Sequence, residues 1–168
     1  MIAAHPRIVF LGAGSVQFAP SLIVDFIHQR DLHGATIAMV DIDADRLALT
    51  HALGVRLVAA ADVDLAIEAT VDRTTVLPGA DAVIVSVELD RFPTWESDRQ
   101  IPAAHGVPQA LGENGGPGGL LHALRQIPPI VEICLDVERL CPDALVLNIA
   151  NPMSRICQAI ADHANVRC

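Results

Sequence analysis

Short apolar runs alternate with longer amphipathic segments along the chain. The runs, rich in Val, Ile and Leu, are typical of strands buried in a sheet. They lie at residues 7–11, 36–40, 64–70, 81–87 and 144–149. Segments with the 3.6-residue repeat of a helix lie at 20–30, 43–60, 119–140 and 152–162. The third of these helices contains Pro128 and Pro129, which predict a kink or a break. The alternation predicts a parallel sheet with right-handed crossovers, the doubly wound α/β fold.

Composition and charge narrow the class of protein. The 168 residues are enough for one domain with a substantial core, and 52% apolar against 18% charged residues excludes a disordered chain. No apolar run approaches the roughly 18 residues of a membrane span. The formal charge of −9 excludes a nucleic-acid backbone as partner, since that partner requires a basic surface. We therefore expect a protein that binds neither nucleic acid nor membrane.

The cysteines and the first residues bear on the compartment. The sequence MIAAHPRIVF has no basic region followed by an apolar segment and a cleavage site, so no secretion signal is expected. Four cysteines show no CxxC spacing and are expected to be reduced thiols. Both features indicate a cytoplasmic protein.

The loop after the first predicted strand has the spacing of a phosphate-binding turn. In LGAGSVQF, Gly12 and Gly14 match the first two positions of G-x-G-x-x-G, while Gln17 holds the third. Pro20 is favoured at the first helical position and predicts a longer loop that does not need a third glycine. Gly12, Gly14 and Ser15 are therefore candidate cofactor-binding residues, with a helix N-terminus to face a pyrophosphate. The alternative is a strand–helix turn whose glycines serve packing only.

An acidic residue at the end of the second predicted strand strengthens the dinucleotide hypothesis. Asp41 lies 27 residues after Gly14, where a carboxylate can accept hydrogen bonds from both ribose hydroxyls. Ile42 follows it where an enzyme selective for NADP would favour a basic residue. The pair favours NAD over NADP.

Residues 112–119, GENGGPGG, hold five of the chain's eleven glycines. A tight turn needs one or two. Five predict a backbone that approaches another group closely, because glycine has no Cβ to keep that group away.

Five segments in order give the chain a family resemblance. They are IVFLGAGS (8–15), DID (41–43), DRQIPAAHGV (98–107), GPGGLLHALRQIP (116–128) and CPDALVLNIANPM (141–153). Together they resemble glycoside hydrolase family 4, and the similarity looks closest to its α-galactosidase-like members. The resemblance implies an NAD- and Mn²⁺-dependent glycosidase outside the two-carboxylate mechanism. Residues 1–168 would form its Rossmann-like NAD-binding domain, without the sixth strand and the C-terminal catalytic and substrate domain.

The resemblance also implies a redox route to hydrolysis. NAD⁺ takes a hydride from C3 of the sugar, and the resulting ketone acidifies the proton at C2. A base removes that proton, the glycosidic oxygen leaves C1, water adds, and the hydride returns to C3. The metal polarises the oxygens on C2 and C3. The glycine-rich segment would let nicotinamide and sugar pack closely.

Several candidate residues follow from the resemblance. Asn151 matches an asparagine that binds substrate hydroxyls, although Asn before Pro is also an ordinary turn residue. Asn148 would contact the nicotinamide ribose or satisfy the strand end. Glu113 matches an acid that raises the basicity of the catalytic tyrosine; the alternative is a solvated carboxylate. Trp95 holds a position that is often arginine in the 6-phosphoglycosidase branch, which favours an unphosphorylated glycoside such as an α-galactoside.

The resemblance places the remaining machinery outside this chain. The catalytic base would be a tyrosine, and the chain contains none. The Mn²⁺ ligands, a cysteine and a histidine, would follow a sixth strand that ANVRC (164–168) approaches, so no metal ligand is expected within 1–168. His105 and His122 are expected in core or surface roles. The exposed sheet edge and docking face predict self-association, a homo-oligomer.

Two other functions remain open at this point. A lactate/malate-type dehydrogenase shares the fold and the GAG loop, although its catalytic histidine and substrate arginines lie in a second domain. A noncatalytic nucleotide-binding module is the other alternative. We expect the full protein to be an enzyme and the 168-residue chain by itself to be inactive.

Overall fold

The computed structural model describes residues 5–110 and 113–168. Within these residues the chain forms a five-stranded parallel sheet in the order β3-β2-β1-β4-β5. The strands are β1 (Arg7–Leu11), β2 (Thr36–Val40), β3 (Ala66–Thr70), β4 (Ala82–Val85) and β5 (Leu145–Asn148). Every pair is parallel, and β1 lies between β2 and β4. The predicted doubly wound α/β fold is confirmed.

The described residues contain five α-helices, four of them between strands and the fifth after β5. They are α1 (Phe18–His28), α2 (Ala44–Ala61), α3 (Arg91–Ala104), α4 (Gly116–Leu140) and α5 (Met153–His163). Short 3₁₀ turns occupy Arg30–Leu32 and Arg73–Thr75. Across residues 5–110 and 113–168, no helix combines the length and the apolar composition needed to cross a bilayer.

Proline positions account for two differences from the sequence predictions. Helix α1 begins at Phe18, so Pro20 is its third residue rather than its first. A proline is tolerated there because the N–H groups of the first turn have no partner within the helix. Helix α4 runs past Pro128 and Pro129 without the predicted break. Buried residues on both sides of the prolines, including Gln126 and Ile130, hold the helix against the sheet.

The core lies on both faces of the sheet, because successive strand residues point to opposite sides. On one face, Phe10, Ile37 and Met39 pack with residues of α1 and α2. On the other face, alternate strand residues such as Val9 and Val83 pack with α4 and α5. This two-sided burial explains why the strands appear in the sequence as continuous apolar runs.

The order of the strands creates a crevice at one edge of the sheet. The chain moves from β1 outward to β2 and β3, and then returns to the other side of β1 with β4 and β5. Helices leave in opposite directions at this reversal, and in such sheets ligands bind beyond the carboxyl ends of the strands. The loop after β1, the residues after β4 and the end of β5 all lie at this edge.

Candidate functional site

The loop after β1 turns sharply against the end of β4. Gly12 has a φ of 86°, which favours glycine, and a Cβ at this position would clash with the backbone carbonyl oxygen of Ser86. The N–H groups of Gly12 and Ala13 both donate to the carbonyl of Val40, at 2.9 and 3.0 Å. The loop is therefore fixed to β2 and β4, and Gly12 is required for the close approach.

Gly14 and Asp41 are in direct contact. The Gly14 N–H donates to Asp41 Oδ2 at 2.7 Å, and the Asp43 N–H donates to Oδ1 at 2.9 Å. A Cβ on Gly14 would lie 2.7 Å from Asp41 Oδ2, so a larger residue would displace the carboxylate. Each carboxylate oxygen has a second lone pair, so the half-buried Asp41 can still accept hydrogen bonds from a ribose. These residues fit a dinucleotide.

Ser15 lies at the start of α1. Its hydroxyl oxygen accepts a hydrogen bond from the Phe18 N–H at 3.2 Å, while the N-cap residue Gln17 makes no side-chain capping bond. The hydroxyl proton of Ser15 remains available to an oxygen acceptor. The first turn of α1 and this hydroxyl together suit an anion such as a pyrophosphate.

A cluster of three ionisable side chains lies beyond β4. Glu88, Glu113 and His122 each place one potential ligand atom within 4.8 Å of the others. His122 is buried, and the two glutamates are half-buried. Burial raises the pKa of Glu88, and the Glu113 charge adds to this, while Arg91 and His122 oppose it. Glu113 is thus part of a cluster rather than an isolated solvated carboxylate.

Sequence reasoning missed Glu88 and His122 as site residues. His122 was expected in a core or surface role, and it is indeed buried. Its position on the buried face of α4 gives no sign of the two carboxylates near it. Glu88 lies three residues after β4, at the edge where ligands bind, and that position was a usable signal.

Behind His122, α3 and α4 share a buried ionic contact. Asp98 is 1% exposed and accepts a short hydrogen bond from Arg125. The same Asp98 Oδ2 lies 3.5 Å from His122 Nδ1. Arg125 Nη2 is also 3.5 Å from Nδ1, so the carboxylate and the guanidinium together hold the histidine.

The glycine-rich segment is explained in part by contacts within the protein. The side chain of Gln109 donates to the Gly115 carbonyl and accepts from the Gly118 N–H, both at 2.9 Å. Gly116 has a φ of 61°, and a Cβ there would clash with the amide of Gln109. Gln109 thus ties the chain to the first turn of α4, and the backbone freedom of Gly116 permits it.

The other glycines of this segment differ among themselves. A Cβ on Gly119 would lie 2.8 Å from the backbone carbon of Asn114, whereas a Cβ on Gly115 would meet no atom within 4 Å. Gly112 lies outside the described residues. Of Gly115, Gly116 and Gly119, Gly115 is the one that faces open space, so it has room for a ligand.

The two asparagines after β5 have different environments. Asn148 closes the strand end, since its amide donates to the Ala150 carbonyl and accepts from the Ala150 N–H, both at 3.3 Å. Its Nδ2 also lies 3.6 Å from Cys157 Sγ. Asn151 is exposed, immediately before the cis peptide bond to Pro152, and its side chain is open to a ligand. The bonds of Asn148 satisfy the strand end, its contact with a nicotinamide ribose stays a prediction, and Asn151 is exposed.

Trp95 lies on α3, one helical turn before Asp98. It is half-buried, and its indole Nε1 is buried without a hydrogen-bond partner among residues 5–110 and 113–168. The nearby cations are engaged, because Arg91 pairs with Glu88 at 2.9 Å and Arg99 with Glu96 at 2.6 Å. These pairs reduce the positive charge available to a phosphate.

Together the fold and the first loop define a Rossmann-like nucleotide-binding domain. Residues 7–167 match the family described as "Family 4 glycosyl hydrolase", and the chain belongs to that family. The resemblance seen in the sequence is confirmed. Membership favours the glycosidase over the lactate/malate-type dehydrogenase.

Comparison with curated proteins agrees with this assignment. The chain is 48% identical to an α-glucosidase of Erwinia rhapontici over 155 residues, which cover 92% of this chain and 34% of the relative. It is 33% identical to an α-galactosidase of Bacillus subtilis (strain 168), covering 96% of this chain and 38% of the relative. The chain thus spans about one third of these relatives. The α-glucosidase is the more similar of the two, so α-galactosides are not singled out.

The fold matches solved structures of glycosidases. Two structures of 6-phospho-α-glucosidase from gut microorganisms superpose with TM-scores of 0.85 and 0.82, at 22% and 25% identity. They cover 95% and 94% of this chain, which spans 36% of each of them. The first contains NAD and Mn²⁺, the second NAD and glucose-6-phosphate.

Proposed function

We propose that this chain is the NAD-binding domain of a longer cytoplasmic glycosidase that cleaves an O-glycosidic bond by oxidation and elimination. The observation that carries the proposal is the Gly14–Asp41 contact within a family 4 chain. The chain spans about one third of its curated relatives, so the catalytic and substrate domain would lie in the rest of the protein.

Residues at the carboxyl edge would hold the cofactor. The amides at the start of α1 and the Ser15 hydroxyl would face the pyrophosphate. Asp41, already held by two N–H groups, would accept hydrogen bonds from the ribose hydroxyls. A 2′-phosphate would meet this carboxylate at close range, which supports NAD rather than NADP. The family 4 neighbours with bound NAD support the same cofactor.

The cofactor supplies a hydride acceptor for C3 of the sugar when it is bound. The residues of this chain would position the substrate and influence proton transfer. Asn151, exposed after β5, would hold sugar hydroxyls. Glu113 would raise the basicity of a base supplied from outside this chain, since a nearby carboxylate favours a proton on its neighbour. Mn²⁺ would be bound by residues beyond 168 and would supply a Lewis acid for the sugar oxygens.

An unphosphorylated glycoside fits the environment of Trp95 best. An indole cannot pair with a phosphate dianion, and its N–H offers a single neutral donor. The arginines on either side of Trp95 in the sequence are paired with glutamates. The 48% identity to an α-glucosidase supports an α-glycoside, and the sugar can be glucose or galactose.

Activity of the full-length gene product tests this function. Chromogenic α-glucosides and α-galactosides, with and without a 6-phosphate, are supplied with NAD⁺ and Mn²⁺ or with each omitted. We expect cleavage of an unphosphorylated substrate that stops when NAD⁺ is removed. Cleavage without NAD⁺ after exhaustive cofactor removal, or oxidation of a 2-hydroxy acid instead, would overturn the proposal.

Cofactor selectivity can be measured on the 168-residue chain itself. Calorimetric titration is expected to show tighter binding of NAD⁺ than of NADP⁺, and Asp41→Ala should reduce the difference. Equal or tighter NADP⁺ binding by the unaltered chain would remove Asp41 from its assigned role.

The 168-residue chain alone should not hydrolyse glycosides, because it contains no tyrosine to act as the base. It should self-associate through β5, whose Leu145 and Leu147 are 38% and 44% exposed. In the described residues, Arg167 alone pairs with this edge, as an isolated parallel bridge to Leu145. Light scattering of a dilution series measures the association, and a monomer at all concentrations would contradict it.

A further inference from the structure

The cluster of Glu88, Glu113 and His122 brings together three parts of the chain that are distant in sequence. Glu88 follows β4, Glu113 belongs to the glycine-rich segment, and His122 lies in the second turn of α4. One oxygen or nitrogen from each lies within 4.8 Å of the others. Two carboxylates in a half-buried site repel each other, and a cation between them would relieve that repulsion.

The side chain of His122 is buried and held in place by its neighbours. The ring is 1% exposed, and its Nδ1 lies 3.5 Å from the buried Oδ2 of Asp98. Asp98 is held in turn by Arg125. Arg125 Nη2 also lies 3.5 Å from Nδ1, so both partners hold the ring, which places one of its nitrogen atoms in the cluster.

Two buried polar groups at the cluster lack partners within the described part of the chain. Glu88 Oε2 is paired with Arg91 at 2.9 Å, but Glu88 Oε1 is buried without a hydrogen-bond partner among the described residues. Gln126, also fully buried, has an amide without a partner among the same residues and lies one turn after His122. Buried polar atoms are usually paired, so an unpaired carboxylate oxygen beside this cluster points to a missing ligand.

We propose that Glu88, Glu113 and His122 bind one divalent cation of the first transition row. Two carboxylates and an imidazole suit Mn²⁺, Fe²⁺ or Zn²⁺. Ligands around such an ion lie about 3.4 Å apart, judged from metal–ligand distances near 2.1 Å, so the carboxylates must rotate inward slightly. Three protein ligands leave further positions for water or for hydroxyl oxygens of a bound molecule.

This site differs from the Mn²⁺ site expected beyond residue 168, since its ligands all lie within the present chain. It shares Glu113 with the proposed glycosidase site, and the binding measurements below test the cation site without measuring glycosidase activity. A bound cation would join the glycine-rich segment to the end of β4 and to α4. The amide groups of the glycine-rich segment should therefore exchange more slowly with solvent when the ion binds.

Mn²⁺ is the probe of choice for the 168-residue chain. It prefers oxygen and imidazole ligands, so the four thiols interfere less than they would with Zn²⁺. Electron paramagnetic resonance measures the loss of the free-ion signal, and calorimetry gives the stoichiometry. We expect one site per chain, and Glu88→Gln and Glu113→Gln should each weaken binding by about tenfold or more.

Two control variants distinguish Mn²⁺ binding at this site from Mn²⁺ binding at other carboxylates or at a thiol. Glu132→Gln makes the same change at a carboxylate on α4 whose side chain is 75% exposed, and it should leave the affinity unchanged. Cys168→Ser removes the exposed thiol at the last residue, and it should also have no effect. Hydrogen exchange at residues 113–119 should slow with Mn²⁺ in the unaltered chain and not in Glu113→Gln.

Several results would overturn the proposal. The first is the absence of Mn²⁺ binding at millimolar concentration. The second is a loss of Mn²⁺ affinity in Glu132→Gln equal to that in the Glu88 and Glu113 variants. The third is a loss of affinity in Cys168→Ser with none in Glu113→Gln. His122→Gln should abolish the site as well, provided that circular dichroism shows a native fold. If that variant does not fold, the two glutamate variants decide the question.

Discussion

Gly12→Ala tests the geometry of the first loop most sharply. The residue has a φ of 86°, where alanine pays a backbone cost of about 1–2 kcal/mol. Its new Cβ would also clash with the carbonyl of Ser86, a backbone atom that cannot rotate away. Overpacking of this kind costs about 1–3 kcal/mol. The two effects together give a destabilisation of about 2–5 kcal/mol.

Gly79→Ala is the matched control. Its φ of 78° carries the same backbone cost, but a Cβ there would meet no atom within 4 Å. It should lose about 1–2 kcal/mol. Since 1 kcal/mol shifts the Tm of a domain this size by about 2–4 °C, calorimetry should give losses of about 4–20 °C for Gly12→Ala and about 2–8 °C for Gly79→Ala.

The difference between the two variants isolates the contact between the loop and β4. Relief of the clash would also move the N–H groups that donate to Val40, so NAD⁺ binding should weaken in Gly12→Ala and persist in Gly79→Ala. Equal destabilisation of the two, with NAD⁺ affinity unchanged in both, would refute the reasoning.

Three further predictions address the substrate site, a thiol and a buried acid. Asn151→Ala in the full-length protein should reduce turnover by the equivalent of about 2–4 kcal/mol while NAD⁺ affinity changes little, because the lost hydrogen bond is to a reacting hydroxyl; unchanged turnover would make Asn151 a turn residue only. Cys134 should resist iodoacetamide at pH 8 in the native chain, because burial raises the pKa of its thiol to about 12, and mass spectrometry that finds it alkylated as fast as Cys168 would contradict this. Glu88→Gln should become more stable relative to the unaltered chain as the pH rises, measured by urea unfolding with EDTA present. The pKa of Glu88 is raised above its ordinary 4.5 in the folded state. The protonated side chain therefore adds to the free energy of unfolding at a pH below the unfolded-state pKa, and this stabilisation is lost as the pH rises through the folded-state pKa. If the difference in unfolding free energy between Glu88→Gln and the unaltered chain does not vary with pH, the pKa of Glu88 is not raised by burial.

The central strands could be predicted because they are buried on both faces. β1 and β2 match their predicted bounds, since every residue after the first is buried. β4 was predicted to reach residue 87 but ends at Val85, where the chain leaves the sheet towards the site. Apolar composition continues past the last pairing residue, so the pattern alone cannot mark that departure.

Helix α3 shows what the hydrophobic pattern cannot reveal. Its fully buried residues are Asp98 and Pro102, so it has no apolar stripe to recognise. Asp98 is buried because Arg125 pairs with it from α4. Such a helix depends on a contact between segments 27 residues apart, which no local window contains.

In the candidate site too, residues related by a known spacing could be predicted, and residues brought together only by packing could not. The spacing placed Gly14 and Asp41 at the same end of a strand–helix–strand unit, and the structure adds the hydrogen bond between them. The contact of Glu88 with His122 depends on how α4 packs over the end of β4, and the sequence carries no spacing rule for that. Asn148 was left open between two roles; its bonds to Ala150 satisfy the strand end, and its contact with the nicotinamide ribose stays a prediction.

Hydrolysis in D₂O tests the central claim, an NAD-dependent elimination, most directly. The full-length protein is incubated with an α-glycoside in D₂O, and NMR measures deuterium at C2 of any released sugar. Removal of the C2 proton by a base, followed by its return from solvent, predicts deuterium at C2 of the product. Complete retention of hydrogen at C2, together with cleavage that continues without NAD⁺, would contradict the account.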